Sequence, residues 1–221
     1  METIKEIILS KAKFFNDKII KNTAELNPFY EYHFILFCNL NTLIYENLNC
    51  LLLELNQSSI FTTNHLLERM IKVALMDFYM KGYYIGNPDF EIKLEEAKKL
   101  YDGKVLHETI NLAVKKNIIT EDERKKLVNL KNEFRNPYSH AEAAKIIKDA
   151  PPTFSGFMGN LNDAKEAMTK GESIPIQKIS VPSFAFAQTH QFEIAKSKAF
   201  DYFKQIFDIM VEIDKRYQNS N

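Results

Sequence analysis

Glycine and proline, the residues that most often interrupt regular structure, are concentrated in one part of this chain. Only six of the 221 residues are glycine, and three of these, with four of the seven prolines, lie between residues 150 and 188. Elsewhere the chain has long stretches with few interruptions, in which apolar residues recur at helical spacing. This pattern predicts an all-α fold and argues against a β-sandwich, which would need many more turn residues.

The apolar repeats predict a bundle of long helices. Asn27-Pro28 is expected to end the first helix, and Gln57-Ser58-Ser59 to separate the second helix from the third. The second helix is apolar over much of its circumference, so we expect it to be central. The predicted helices cover residues 3–25, 29–56, 62–81, 90–101, 105–117, 120–136 and 189–217.

The helix that begins after Thr120 has the clearest start signal in the chain. Thr120 and Glu123 have the spacing of a capping box, in which each side chain binds the backbone N–H of the other residue. Pro137 lacks an N–H and should end or kink this helix one residue earlier. Ser139 is then expected to cap a short helix over residues 140–149.

Residues 150–188 break the helical pattern and are interpreted as a mixed insertion in a single helical domain of residues 1–221. We expect the insertion to pack on the bundle, with a short helix at 160–169 and extended segments near 174–187. Its phenylalanines could stack on nucleic-acid bases or gate a cleft, or they could pin the insertion to the core. These residues are Phe154, Phe157, Phe184 and Phe186.

Charge and composition bear on the partners and the location of the protein. The formal net charge is zero, so bulk charge predicts neither a nucleic-acid nor a membrane partner, although residues 115–148 hold nine basic and five acidic residues. The most apolar run, Phe34–Leu53, is interrupted by polar residues and is not expected to span a membrane. Cys38 and Cys50 lie too far apart on one predicted helix for a disulfide, which is consistent with a cytoplasmic protein.

Four of the five histidines are scattered over different predicted segments and do not have the spacing of zinc ligands. We therefore expect no metal and no cofactor. Each of these four is interpreted as a surface residue or as a hydrogen-bonded core residue. They are His33, His65, His107 and His190.

The stretch Arg135-Asn136-Pro137-Tyr138-Ser139-His140 is the strongest candidate for chemistry. A guanidinium keeps its charge and can bind a phosphate through two parallel hydrogen bonds, whereas an imidazole can gain or lose a proton near neutral pH. Arg135 could therefore hold a phosphodiester and stabilise the transition state, and His140 could move its protons without a metal. Asn136 could orient either group.

This stretch resembles the motif of the HEPN superfamily, all-helical domains in which an arginine is followed four to six residues later by a histidine. Asn136 matches the polar residue that often follows the arginine. Glu68 and Lys72 fit a Glu-x-x-x-Lys/Arg pattern that HEPN proteins often carry on an earlier helix. Glu142 stands where some members have a tyrosine that a partner enzyme modifies, so the resemblance does not extend to that regulation.

The resemblance implies a metal-independent endoribonuclease in a toxin–antitoxin or phage-defence system. RNA would be cleaved to a 2′,3′-cyclic phosphate and a 5′-OH, at a cleft where two copies of the chain bring their motifs together. Because acid–base catalysis needs two proton-transfer groups, a homodimer would supply two His140 side chains. Tyr138, Ser139, Glu68 and Lys72 are the candidate substrate-binding residues.

Other interpretations of the same residues stay open. Arg135 could form an ordinary ion pair, Tyr138 could be a packing residue, and Glu68 and Lys72 could pair with each other on a helix surface. The alternative function is a non-catalytic, HEPN-like module that dimerises or binds nucleic acid or a partner protein, such as a nucleotidyltransferase antitoxin.

Overall fold

The computed structural model describes residues 4–140, 151–174 and 176–220, except for the side chains of Ser139, His140 and Phe157. The prediction of an all-α fold is confirmed, because nearly all of the regular structure in these ranges is helical. The helices are α1 (Ile4–Tyr30), α2 (Asn41–Leu52), α3 (Asn56–Met80), α4 (Phe90–Tyr101), α5 (Leu106–Lys115), α6 (Glu121–Leu130), α7 (Asn136–His140), α8 (Leu161–Lys170) and α9 (Ala187–Asn219). Short 3₁₀ turns cover Cys38–Leu40 and Ser183–Phe186, and a π-helical turn covers Lys131–Arg135.

Helix α3 is central to the bundle and contacts α2, α4, α5 and α9. Its buried side chains recur every three to four residues and form a continuous apolar surface. The sequence predicted a central helix over 29–56, but the central helix is the one that follows it. Core residues of α3 and α9 include Leu67, Ile71, Leu75, Phe203, Ile206 and Met210.

The predicted helix over residues 29–56 is wrong in its first third. Residues 31–37 are mostly irregular, and α2 begins only at Asn41. The buried carboxylate of Asp214 on α9 accepts the backbone N–H groups of Ile35 and Leu36, at 3.1 and 2.7 Å. Because this tertiary contact binds the backbone donors, the local helical pattern is overridden.

Helix α1 continues through Asn27-Pro28 to Tyr30, although this dipeptide was expected to end it. The last turn is held by packing, since the Phe29 ring contacts Phe203 and Phe207 of α9 at centroid distances of 5.6 and 5.0 Å. The N-terminal part of α1 instead exposes its apolar residues, and Ile4 is 78% exposed. The others are Ile7, Ile8, Leu9, Phe14, Phe15, Ile19 and Ile20.

The predicted break at Gln57-Ser58-Ser59 lies slightly earlier in the chain. These residues belong to the first turn of α3, and the break between α2 and α3 falls at residues 53–55. Glu54 has a φ of 55°, a left-handed conformation that ends a helix but is unfavourable for a residue with a side chain. Its carboxylate accepts hydrogen bonds from Lys18 at 2.6 Å and Lys21 at 2.8 Å, which join this turn to α1.

The chain around Pro137 stays helical. The capping box of Thr120 and Glu123 is present and begins α6, as the sequence predicted. A π-helical turn then leads into α7, and the Asn136 N–H binds the carbonyl of Lys131 rather than that of Asn132. Such a wider turn can accommodate a residue that lacks an N–H, so Pro137 neither ends the helix nor needs a break before it.

The prediction for Ser139 is only partly within the described residues. Ser139 lies inside α7 rather than at the start of a helix. Of the predicted helix over 140–149, residues 141–149 lie outside the described ranges.

The mixed character of the insertion is confirmed. Strands β1 (Thr153–Met158) and β2 (Gln177–Pro182) pair antiparallel, with Thr153 opposite Pro182 and Met158 opposite Gln177, and α8 connects them close to the predicted short helix. The three phenylalanines of this segment whose side chains the structure describes do not pin it to the core. Phe184 is 68% exposed, and Phe154 and Phe186 contact each other at a ring-centroid distance of 5.6 Å.

No helix in the described ranges is long and apolar enough to cross a membrane.

The contact between Glu54 and α1 gives a pH-dependent prediction. Hydrogen bonds from Lys18 and then Lys21 lower the pKa of Glu54 from 4.5 to about 2. The carboxylate therefore stabilises the fold fully above about pH 4.5, and this contribution is lost as the pH falls toward about 2. Replacing Glu54 with Gln should reduce the free energy of unfolding by about 1 kcal/mol at pH 7, and by less at about pH 3.

Urea unfolding of both proteins across this pH range measures the difference. Glu25→Gln, the same change at an exposed position of α1, is the control and should alter stability by less than about 0.5 kcal/mol. A difference between wild type and Glu54→Gln that does not change with pH would contradict the assignment.

Candidate functional site

The candidate site lies where the π-helical turn and α7 cross the N-terminal half of α3. Arg135 is the last residue of the π-helical turn, and its Nε donates to Oε1 of Glu68 on α3 at 2.9 Å. The two side chains are 28% and 38% exposed, so the ion pair is open to solvent. Of the predicted site residues, the structure thus brings together Arg135 and Glu68, which are 67 positions apart in sequence.

A buried contact between three helical segments positions Arg135. The ring of Phe134, the residue before it, stacks on Tyr202 of α9 with centroids 4.3 Å apart and planes 16° from parallel. The Tyr202 hydroxyl donates to Oδ1 of Asn64, one helical turn before Glu68, at 2.8 Å. Tyr202 is completely buried, and this burial raises the pKa of its hydroxyl. The hydroxyl therefore stays a neutral donor, and the two contacts of Tyr202, with Phe134 and with Asn64, fix the ion pair to the core.

Tyr138 is placed as a packing residue. It is 4% exposed, its hydroxyl donates to the backbone carbonyl of Gln191 at 2.9 Å, and its ring meets Phe61 edge to face at 6.1 Å. Burial raises the pKa of this hydroxyl to about 12. The side chain links α7 to α9 and α3, which favours the packing interpretation over contact with a base.

The remaining predicted residues lie around this core in different ways. Asn136 is half-buried, and its Nδ2 donates to Oδ1 of Asn132 at 3.2 Å, one turn earlier. Lys72 donates to the carbonyl of Asp102 at the end of α4, so the predicted alternative of a Glu68–Lys72 pair is wrong. The backbones of Ser139 and His140 lie in α7, but their side chains are outside what the structure describes.

The sequence did not identify Phe61 and Tyr202 as part of this site. Phe61 could have been found from its spacing, because it lies seven residues before Glu68 and therefore on the same face of α3. Tyr202 carries no such signal, since its role depends on the packing of α9 against α3. Among the described residues, no group of three or more His, Cys, Asp or Glu side chains could hold a metal ion.

The chemistry that the described side chains of this surface offer is anion binding. Arg135 presents a permanent positive charge at a solvent-open position, and α7, which follows directly, carries His140. Glu68 orients the guanidinium and partly neutralises it, so an incoming phosphate would compete with this carboxylate for hydrogen bonds. Because of this competition, Arg135 would bind an anion reversibly.

Comparison with known proteins does not add to this description. No model of a protein family, no curated protein and no solved structure matches the chain.

The ion pair between Arg135 and Glu68 can be tested by a double-mutant cycle. Arg135→Ala and Glu68→Ala, alone and combined, should show a coupling energy of about 0.5–1 kcal/mol, the value expected for a solvent-open pair with good geometry. Chemical denaturation of the four proteins measures it. Salt at about 1 M should reduce the coupling.

Lys72 provides the matched control, because it shares the exposed face of α3 with Glu68 but binds the carbonyl of Asp102. The cycle of Lys72→Ala with Arg135→Ala should give a coupling within about 0.3 kcal/mol of zero. Equal coupling in the two cycles would mean that Glu68 does not bind Arg135 specifically.

Proposed function

We propose that this chain is a metal-independent endoribonuclease of the HEPN type. The observation that carries the proposal is the solvent-open Arg135, fixed by Glu68 and Phe134 immediately before the helix that carries His140. Cleavage of a phosphodiester at a ribose 2′-OH requires a rigidly placed cation and a group that can transfer a proton. The resemblance of residues 135–140 to the HEPN motif adds the choice of RNA as substrate.

In the proposed reaction His140 accepts the proton of the 2′-OH, and the 2′-oxygen forms a bond to phosphorus. The bond from phosphorus to the 5′-oxygen breaks, and that oxygen receives a proton from a second group of the site, which acts as the general acid. Arg135 binds the non-bridging oxygens and stabilises the charge that develops on them. The products are a 2′,3′-cyclic phosphate and a 5′-OH.

The proposal includes the biological setting and partners that the resemblance implies. The chain would act in the cytoplasm as the toxin of a toxin–antitoxin pair or as a phage-defence effector, and two copies would pair. A nucleotidyltransferase or another antitoxin protein would be its partner. The exposed apolar residues of α1 support association with another protein, because monomers rarely expose long apolar stripes.

Two observations favour the second candidate function, a non-catalytic module that dimerises or binds nucleic acid or a partner protein. Arg135 is already engaged by Glu68 in the free chain, and the net charge is zero, whereas ribonucleases often have a basic cleft. If this second function is correct, the chain does not cleave RNA. Substitution of Arg135 and His140 would then leave its association with the partner intact.

RNA cleavage by the chain and by its variants distinguishes the two proposed functions. With the purified chain, a chelator and a pool of single-stranded oligoribonucleotides of mixed sequence, we expect cleavage that leaves cyclic-phosphate ends. Arg135→Ala and His140→Ala should each lower the rate at least about 100-fold, because each removes a group that acts in the transition state. End-group analysis and sequencing of the fragments measure this.

Lys131→Ala, in the same π-helical turn, is the control and should stay within about threefold of wild type. Cleavage that persists in both Arg135→Ala and His140→Ala would rule out the proposed chemistry. A wild-type chain that leaves the pool intact, but still forms dimers or binds a partner, would support the binding module.

A further inference from the structure

We propose that His65 is the general acid of this site, so that one chain supplies both proton-transfer groups. This inference rests on the proposed ribonuclease function and adds a residue that the sequence pattern did not indicate. The proposed reaction needs a base for the 2′-OH and an acid for the leaving 5′-oxygen, and residues 135–140 contain only one histidine. The missing group must come either from a second chain or from another part of the same chain.

The position of His65 follows from contacts on either side of it. Phe61 touches Tyr138 of α7, and Glu68 binds Arg135 of the π-helical turn. At about 100° per residue, His65 falls within about 60° of both on the circumference of α3. Along the helix axis it lies about 6 Å from Phe61 and about 4.5 Å from Glu68. It is therefore on the face of α3 that the motif crosses.

The side chain of His65 is also accessible to solvent. Its side chain is exposed, and it makes no hydrogen bond or ion pair in the part of the chain that the structure describes. His33 and His107, in contrast, contact the Glu31 carbonyl and the Asn111 side chain in their own segments. The interpretation of His33 and His107 as ordinary surface residues is consistent with these contacts. His190 is exposed like His65, but only His65 lies between the α3 residues that contact the motif.

The charged groups near His65 are one carboxylate and two guanidiniums. Glu68 and Arg69 lie on its own helix, and Arg135 binds Glu68 from the π-helical turn. α9 packs on the buried side of α3, where Tyr202 binds Asn64. Phe61, 49% exposed and beside His65, offers an apolar surface for a neighbouring base.

In this assignment the proton balance closes within one chain. The imidazolium of His65 donates its proton to the 5′-oxygen as the bond to phosphorus breaks, and His140 takes the proton of the 2′-OH. The reaction ends with His65 neutral and His140 protonated, and exchange with water restores both. Pairing of two chains, which the proposed function includes, is then not required for the chemical step.

A substrate that does not need an acid tests the assignment directly. The substrate is an oligoribonucleotide in which sulfur replaces the leaving 5′-oxygen at one linkage that the chain cleaves. The leaving group at that linkage is a thiolate, which departs without receiving a proton. His65→Gln should lower the rate on the ordinary oligonucleotide by about 100-fold or more. The rate of His65→Gln on the sulfur-containing oligonucleotide should stay within about tenfold of the wild-type rate, because a thiolate leaving group does not need an acid. His107→Gln on α5 is the matched control and should cleave both like wild type.

The outcomes separate this inference from the proposed function. If His65→Gln loses the same factor in rate on both substrates, His65 has a structural role. If its rates on both substrates equal those of wild type, His65 has no role in the reaction. Either result overturns this inference but leaves the proposed ribonuclease function standing. A wild-type chain that cleaves neither substrate overturns both. An unchanged thermal midpoint of His65→Gln, expected for an exposed residue, shows that the comparison is made between folded proteins.

Discussion

The stack of Phe134 on Tyr202 is the contact on which the candidate site depends. It joins the π-helical turn to α9, and the Tyr202 hydroxyl joins α9 to Asn64 on α3. A buried hydroxyl that keeps its hydrogen-bond partner costs little, but one that loses the partner costs about 1–3 kcal/mol. The geometry of this junction is therefore specified by the need to satisfy a buried polar group as well as by apolar packing.

The positions of the exposed residues follow from this junction. Arg135 comes directly after Phe134, and Glu68 comes one turn after Asn64, so both meet just outside the buried contact. The π-helical turn allows the chain to continue as a helix past Pro137, which keeps Tyr138 packed on Phe61. The core thus presents one face of α3 to the segment that carries Arg135 and His140.

Local signals allowed much of the fold to be predicted. The capping box at Thr120, the helices over 90–101 and 189–217 and the short helix near 160–169 all depend on residues close together in the sequence. These predictions are confirmed with small shifts of the ends. The fold class followed from the same periodicity, together with the scarcity of glycine.

The errors arose where distant residues override a local pattern. The carboxylate of Asp214 binds the backbone N–H of Leu36, 178 positions earlier, and this contact prevents the helix that the apolar pattern indicated. The pairing of Arg135 with Glu68 spans 67 positions and replaces the local Glu68–Lys72 pair. The residue types at the candidate site could be predicted from the sequence, but their partners could not, because partners are chosen by packing between helices.

Amide hydrogen exchange tests the central claim that the Tyr202 contact positions the motif. In Tyr202→Leu, exchange across residues 131–136 should accelerate more than about tenfold relative to the rest of the bundle, equivalent to about 1.4 kcal/mol of local stability. Phe207→Leu removes another buried α9 ring, which packs on Phe29 and Phe34 instead, and should spare residues 131–136. The same exchange pattern in both variants would contradict the account.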